Sequence, residues 1–282
     1  MIRPQTSYFV CATPRSGSTL LCEALRNTGI AGRPEEYFGG PKRTRTSEEQ
    51  NEPSWQNLIP VWSALQGVST YSDYLSRVIK IGTTSNGVFG AKLMWSYFGD
   101  FINQLHQTWS DSVSAEFDLL SLAFPKLRYI WITRHDKIQQ AVSYWKAIQT
   151  WIWRTDEPLF PTKEHTWIGS VNEEQPMQVR EPKFNFEAIK FLLHQIELQE
   201  AAWWRYFKMH EIQPFIVVYE DLISNYESTA IKILNYLNVS PSENRVFMER
   251  RLKQQADSLS KQWIYQYHKI ESAIAKNYSE AE

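Results

Sequence analysis

The strongest chemical signal in the sequence is the run Pro14-Arg15-Ser16-Gly17-Ser18-Thr19, which combines a glycine, three hydroxyl groups and a cation. The run lies between an apolar segment that predicts a buried strand and an amphipathic segment that predicts a helix. A turn that opens a helix directs backbone N–H groups at an anion, and Gly17 lets the ligand approach that backbone closely. The hydroxyl groups and the planar guanidinium of Arg15 add hydrogen bonds to the same anion. The sequence therefore predicts a phosphate-binding turn, although the same residues also suit a helix N-terminus that binds nothing.

This turn differs from the usual triphosphate loop, because G-x-x-x-x-G-K-[ST] does not occur anywhere in the sequence. An ATP-dependent phosphotransferase would use the lysine of that motif and carboxylates that hold Mg²⁺, and no such carboxylate pattern is evident. These absences disfavour a phosphotransferase, which stays only as a second hypothesis for this chain. A non-catalytic protein that binds a nucleotide or a glycan is a third.

Short strands and longer helices alternate along the chain and must position the turn. Buried strands are predicted over Tyr8–Thr13, Val88–Lys92, Arg128–Thr133 and Phe215–Tyr219. Helices are predicted over Ser18–Thr28, Asp136–Trp153, Phe186–Lys208 and Tyr226–Leu237. Such alternation indicates an α/β sandwich with a mainly parallel sheet, in which ligands bind beyond the carboxyl ends of the strands.

Composition indicates an ordinary globular protein, since 43% of the 282 residues are hydrophobic and 22% are charged. Thirty basic and 31 acidic side chains leave a formal net charge of −1, which supplies no broad positive field for nucleic acid. The apolar runs are shorter than the roughly 18 residues of a membrane span, so we expect a cytoplasmic protein.

We expect one domain over residues 1–282, with long loops near 41–54 and 155–183. Cys11 and Cys22 cannot form a disulfide framework and have no companion ligands at metal-binding spacing. Both are expected to be buried thiols. Aromatic residues make up 14% of the chain, which suits a large core, a subunit interface or stacking on sugar rings.

Two further motifs follow later strands and give the sequence a family resemblance. Arg134 comes directly after the third predicted strand, Ser143 lies in the next helix, and Val218-Tyr219-Glu220-Asp221-Leu222 forms a strand-to-helix signature. The three ordered motifs resemble those of sulfotransferases that use 3′-phosphoadenosine 5′-phosphosulfate (PAPS). The chain resembles most closely the bacterial trehalose 2-sulfotransferase family, through Glu23-Ala24-Leu25-Arg26, Thr28-Gly29, Gly32, Pro34, Glu36, Phe38, Ala91-Lys92-Leu93-Met94-Trp95, Gln149-Thr150 and Trp153-Arg154.

The resemblance implies a fold related to the P-loop kinases, PAPS as sulfate donor, PAP as product, no metal and a homodimer. It assigns the 5′ end of the donor to Arg15, Ser16, Gly17, Ser18 and Thr19. It assigns the 3′-phosphate to Arg134 and Ser143.

The same resemblance makes Glu36 the general base. Transfer of a sulfuryl group needs a base on the acceptor hydroxyl and cations near the leaving phosphate. We expect Lys92, at a strand end, to lie near the transferred group, and Arg15 to stabilise the leaving phosphate. Glu35 is not expected to act as the base, because neighbouring side chains in an extended segment point apart.

Arg33 bears on the acceptor, because the trehalose enzyme of the family carries an acidic residue at this position, in contact with the sugar. A guanidinium only donates hydrogen bonds, so Arg33 favours an acceptor with a carboxylate, phosphate or sulfate group. Arg43 and Arg45 extend that preference. We also assign Trp95, close to Lys92, to a sugar-like small-molecule acceptor.

Overall fold

The computed structural model describes residues 3–39, 68–109, 116–150, 152–153, 181–240, 247–252 and 257–279. Its strands are β1 (Thr6–Ala12), β2 (Val88–Met94), β3 (Leu127–Thr133) and β4 (Phe215–Val218). Its helices are α1 (Ser18–Asn27), α2 (Tyr71–Gly82), α3 (Trp95–Trp109), α4 (Glu116–Ala123), α5 (Lys137–Thr150), α6 (Phe186–Met209), α7 (Tyr219–Ser224), α8 (Tyr226–Tyr236) and α9 (Ser258–Ser279).

Within the described residues the strands form one parallel sheet in the order β2-β1-β3-β4. Phe9 of β1 pairs with Ala91 of β2 on one side and with Tyr129 of β3 on the other. Because all four strands run in the same direction, their carboxyl ends lie along one edge of the sheet. The expected α/β fold is confirmed.

Successive side chains of β1 enter different cores, as the pleat of a strand requires. Phe9 and Cys11 face an aromatic core that includes residues of α2, α3 and α6. Tyr8 and Val10 face a second core formed with α1 and α8. Cys11 and Cys22 are both buried free thiols, as expected.

The predicted helices are all present, but α5 ends at Thr150 rather than at Trp153. The Thr150 hydroxyl accepts from the Ile152 backbone N–H at 3.3 Å, and the Trp153 carbonyl accepts from Arg15 at 2.7 Å. These contacts hold the chain outside the helix. Periodicity alone did not single out α2, α3, α4, α7 or α9, although Thr70 and Asp73 form a capping box at the start of α2.

The carboxyl end of β1 is held from the aromatic core as well as from within the sheet. Trp203 of α6 is fully buried and donates from its indole nitrogen to the Ala12 carbonyl at 3.0 Å. The turn that follows β1 therefore starts from a fixed point.

Candidate active site

The turn after β1 has the backbone of an anion-binding loop. Arg15 and Gly17 both have left-handed conformations, with φ of 62° and 92°. Gly17 is the N-cap of α1, and the first turn of this helix contains no acidic residue. The Ser16 hydroxyl is buried without a hydrogen-bond partner among the described residues. Free N–H groups at a helix N-terminus and an unused hydroxyl are donors that a phosphate oxygen would satisfy.

Helix α5 is fastened to this turn by side chains on one of its faces. Gln140 donates from Nε2 to the Thr13 hydroxyl at 2.9 Å and to the Pro14 carbonyl at 2.8 Å. One turn along α5, the Ser143 hydroxyl accepts from Arg15 Nε at 3.0 Å. Sequence analysis missed Gln140, although its i,i+3 spacing from Ser143 places both residues on one helix face.

Tyr219, in the strand-to-helix motif after β4, packs against the turn after β1. A Cβ on Gly17 would lie 2.2 Å from Cδ2 of Tyr219, so glycine is required for the ring to approach this closely. The Arg134 guanidinium stacks on the same ring, 4.4 Å from its centroid. Tyr219 therefore contacts both the turn after β1 and the arginine after β3.

Polar contacts hold Arg134 in this position. Its guanidinium lies 3.8 Å from a Glu220 carboxylate oxygen and hydrogen-bonds Gln139. Glu220 in turn accepts from the backbone N–H groups of His135 and Asp136, at 3.1 and 3.4 Å. The start of α7 therefore fixes the loop that carries Arg134.

Arg15 and Arg134 bring two positive charges together. Burial lowers the pKa of Arg15 to about 10, and the charge of Arg134 acts in the same direction. Burial also lowers the pKa of Arg134, against the opposing effects of Tyr219 and Glu220. Two partly desolvated guanidinium groups that repel each other favour a bound anion, because the anion neutralises both.

A second polar pair follows the neighbouring strand. The Lys92 ammonium lies 2.7 Å from Glu36 Oε2, and the lysine is 8% exposed. The Lys92 backbone N–H also donates to the Glu35 carbonyl at 2.8 Å, which ties the loop to β2. The Glu35 side chain turns to Arg26 instead. The two neighbouring carboxylates therefore point apart, as expected.

The two other residues assigned to the acceptor are close in sequence to the Lys92–Glu36 ion pair: Arg33 precedes Glu36 and Trp95 follows Lys92. Arg33 is exposed and donates to the Ile81 carbonyl at 3.4 Å, at the end of α2. Trp95 begins α3 and is half-buried, with its ring edge-on to Trp203 at 5.0 Å. Arg43 and Arg45 lie outside the described residues, as do the predicted loop at 41–54 and most of that at 155–183.

A buried carboxylate on α1 holds a segment near the end of the chain. Glu23 is 1% exposed and accepts from the backbone N–H groups of Arg251 and Leu252, at 2.7 and 3.2 Å. Asn27, one helical turn further, donates to the Glu249 carbonyl at 3.2 Å. Sequence analysis named Glu23 only among the residues of the family resemblance and gave it no structural role, because its partners lie more than two hundred residues away.

Within the described ranges, no helix is both long and apolar enough to cross a membrane. No three His, Cys, Asp or Glu side chains in the same ranges come together as a metal site would require.

Comparisons with known proteins show the family of this chain. The Stf0 sulphotransferase family model matches residues 7–270. The trehalose 2-sulfotransferase of Mycolicibacterium smegmatis is 30% identical over 281 residues, which cover 94% of this chain and 95% of that protein. The trehalose 2-sulfotransferase of Mycobacterium tuberculosis is 28% identical over 280 residues, which cover 95% and 96%. The chain therefore belongs to the Stf0 sulphotransferase family and is a sulfotransferase.

Proposed function

We propose that the enzyme transfers a sulfuryl group from PAPS to a hydroxyl of a sugar-like acceptor. The observation that carries this proposal is the convergence of Arg15, Ser143, Arg134 and Tyr219 beside the turn at Gly17. PAPS has anionic groups on the 3′ and 5′ positions of its ribose, and the chain offers cations or free hydrogen-bond donors for both groups.

The residues present fit this donor. The unpartnered Ser16 hydroxyl and the N-terminus of α1 suit the 5′ end, while Arg134 and Ser143 suit the 3′-phosphate. Arg15 hydrogen-bonds Ser143 and lies close enough to Arg134 for the two charges to interact, so it reaches toward the 3′ side as well. A bound PAPS supplies the sulfuryl group and a phosphate that leaves with its negative charge.

Glu36 and Lys92 perform the transfer together in this proposal. The Glu36 carboxylate takes the proton of the acceptor hydroxyl as the oxygen of that hydroxyl bonds to sulfur and the bond from sulfur to the leaving phosphate breaks. Lys92 is ion-paired with Glu36 before the reaction, at 2.7 Å. When Glu36 gains the proton, the ammonium loses its counter-charge and can stabilise the phosphate that is leaving.

For the acceptor we propose a sugar or related small molecule with an anionic substituent. The two relatives are named for trehalose. The exposed guanidinium of Arg33, three residues before Glu36, favours an added carboxylate, phosphate or sulfate. Radiolabelled sulfuryl transfer to trehalose, trehalose 6-phosphate and glucuronic acid ranks these acceptors. Preference for neutral trehalose, unchanged in Arg33→Gln, would contradict the charged acceptor.

Donor identity is tested by thermal shift. A ligand stabilises the folded protein by about RT ln(1 + [L]/Kd), or about 2.7 kcal/mol at a hundred times Kd. PAP without metal should raise the melting temperature, and ATP with Mg²⁺ should raise it less. The reverse order would favour the phosphotransferase. Binding of PAP with no transfer to any acceptor would favour a non-catalytic nucleotide-binding protein.

The 3′-phosphate assignment is tested by Arg134→Ala. This change should weaken PAP binding much more than binding of adenosine 5′-phosphosulfate, because only PAP has a 3′-phosphate. Arg205→Ala is the control, since this exposed arginine bonds within its own helix, α6. Equal losses for the two nucleotides would remove Arg134 from that role.

The base is tested by Glu36→Gln, which keeps the shape of the side chain and removes its basicity. A positioned base contributes typically 10²–10⁴-fold, so kcat should fall by about that factor with PAP affinity retained. Near-normal turnover would exclude Glu36 as the base.

We also propose a homodimer, because the sequence is rich in aromatic residues and the resemblance implies one. Sedimentation at micromolar concentration should show a species of twice the chain mass. A single species of 33.2 kDa would contradict it.

A further inference from the structure

Glu200, on helix α6, holds both ends of the short loop that carries Arg134. The Glu200 side chain is 14% exposed, and its carboxylate accepts from the Thr133 hydroxyl at 2.9 Å. The Lys137 ammonium donates to the same carboxylate at 2.6 Å. Thr133 is the last residue of β3, and Lys137 is the first residue of α5. Residues 134–136 therefore lie between two contacts of one side chain, to which sequence analysis gave no role.

The three polar groups form a closed set of hydrogen bonds. Besides its bond to Glu200, the Lys137 ammonium donates to the Thr133 hydroxyl at 2.9 Å. An ammonium only donates and a carboxylate only accepts, so this hydroxyl accepts from Lys137 and donates to Glu200. Both bonds of the hydroxyl have a charged partner, which makes them stronger than bonds between neutral groups. The loop between β3 and α5 therefore has fixed end points.

The cluster of Thr133, Lys137 and Glu200 lies where β1 and β3 extend beyond their mutual pairing. The register between these strands ends one residue before Ala12 and two residues before Thr133. Helix α6 contacts both strand ends, because Trp203 donates to the Ala12 carbonyl at 3.0 Å and Glu200 accepts from Thr133. Residues three apart lie on the same face of a helix. One face of α6 therefore fixes the distance between the turn after β1 and the loop after β3.

Glu200 and Glu220 contact different parts of this loop. Glu220, on α7, accepts from the backbone N–H groups of His135 and Asp136 and lies 3.8 Å from the Arg134 guanidinium. Glu200 contacts the residues on either side of the loop. A change at Glu200 therefore alters where the loop lies, while the ion pair between Arg134 and Glu220 keeps both of its charges.

We propose that Glu200 is a positioning residue that holds Arg134 at a fixed distance from the turn after β1, so that the site favours a nucleotide with a 3′-phosphate. A nucleotide with two phosphate groups gains both contacts at full strength only if the two binding groups already have the matching spacing. The inference rests on the proposed role of Arg134 at the 3′-phosphate.

The test is calorimetric titration of Glu200→Gln with PAP and with adenosine 5′-phosphate, which differ only in the 3′-phosphate. Glutamine keeps the shape of the side chain, but it has no charge and carries an amide NH₂ in place of one accepting oxygen. The Kd for PAP should rise about 10-fold, while the Kd for adenosine 5′-phosphate should change less than about twofold. Glu197→Gln is the control, because Glu197 is an exposed residue of the same helix, and both Kd values should stay as in the wild type.

A double-mutant cycle separates this inference from the proposed role of Arg134. If Glu200 acts by positioning Arg134, Glu200→Gln adds no loss of PAP affinity to Arg134→Ala. Equal losses for the two nucleotides in Glu200→Gln, no loss for PAP, or losses that multiply in the double variant would overturn the role of Glu200. If Arg134→Ala itself weakens both nucleotides equally, the 3′-phosphate assignment fails, and the inference fails with it.

A second variant, Thr133→Val, keeps the test decisive if Glu200→Gln folds poorly. Valine has the shape of threonine and suits a strand, so the change removes only the hydroxyl and leaves the ion pair of Lys137 and Glu200. PAP affinity should again fall relative to that of adenosine 5′-phosphate, and the KM for PAPS should rise while kcat at saturating PAPS is retained. An unchanged ratio of the two Kd values in a folded variant contradicts the proposal.

Discussion

Replacing Gly17 by alanine tests whether the turn after β1, Tyr219 and Arg134 form one structural unit. Gly17 has φ of +92°, a conformation that a residue with a Cβ rarely adopts. An added Cβ would lie 2.2 Å from Cδ2 and 2.9 Å from Cε2 of Tyr219, whereas ordinary contact begins at 3.4 Å. Either the ring or the turn must therefore move.

The expected cost has two parts. A left-handed conformation costs a residue with a Cβ about 1–2 kcal/mol. Displacing a packed ring costs about 1–3 kcal/mol. Gly17→Ala should therefore lower the free energy of unfolding by about 2–5 kcal/mol. PAP affinity should fall too, because Arg134 stacks on the displaced ring at 4.4 Å.

Urea denaturation and calorimetric titration with PAP measure the two effects. Gly99→Ala is the matched control, since a Cβ at Gly99 would meet nothing within 4 Å. Gly99 lies inside α3, where alanine should stabilise the helix by up to about 1 kcal/mol. Gly17→Ala with wild-type stability would refute the steric argument. Lower stability with unchanged PAP affinity would refute the coupling to Arg134.

Two further predictions concern ion pairs away from the transfer chemistry. Glu35→Gln should lower the free energy of unfolding by about 1–3 kcal/mol, because Arg26 is 6% exposed and loses a charged partner. The kcat of this variant should stay close to normal. A kcat loss as large as that of Glu36→Gln would contradict the assignment of Glu36, and not Glu35, as the base. Burial raises the pKa of Asp257, but hydrogen bonds, first that of Lys146, outweigh it and lower the pKa to about 2. A carboxyl group whose pKa is lower in the folded than in the unfolded protein, where it is about 3.9, stabilises the fold above that pH, and the gain is lost as the pH falls. Asp257→Asn should therefore lower the melting temperature at pH 6 and differ little from the wild type near pH 2. A difference in melting temperature that persists at pH 2 would refute this role of Asp257.

The sequence alone determined the motifs and the elements around them. The short apolar segments predicted the first and last residue of each of the four strands to within two residues. Such signals depend only on neighbours along the chain. Pro14–Thr19 and Arg134 were recognised by their place directly after strands. Parallel strands have their carboxyl ends at one edge, so the predicted fold already indicated the edge of the sheet at which we propose the site.

Only the tertiary structure decided which side chains meet. Tyr219 lies beneath Gly17, Arg15 bonds Ser143, and Glu23 holds Arg251, although long stretches of chain separate these partners. Sequence spacing carries no information about such contacts, because they depend on how helices pack across the sheet. The helix α3 illustrates the limit, since periodicity did not single it out.

The division is sharpest at the proposed base. The sequence predicted that Glu35 and Glu36 point apart, because adjacent side chains diverge in an extended segment. It gave no indication that Arg26 pairs with Glu35 and Lys92 with Glu36. Those partners come from two elements, α1 and β2, and packing alone brings them to one loop.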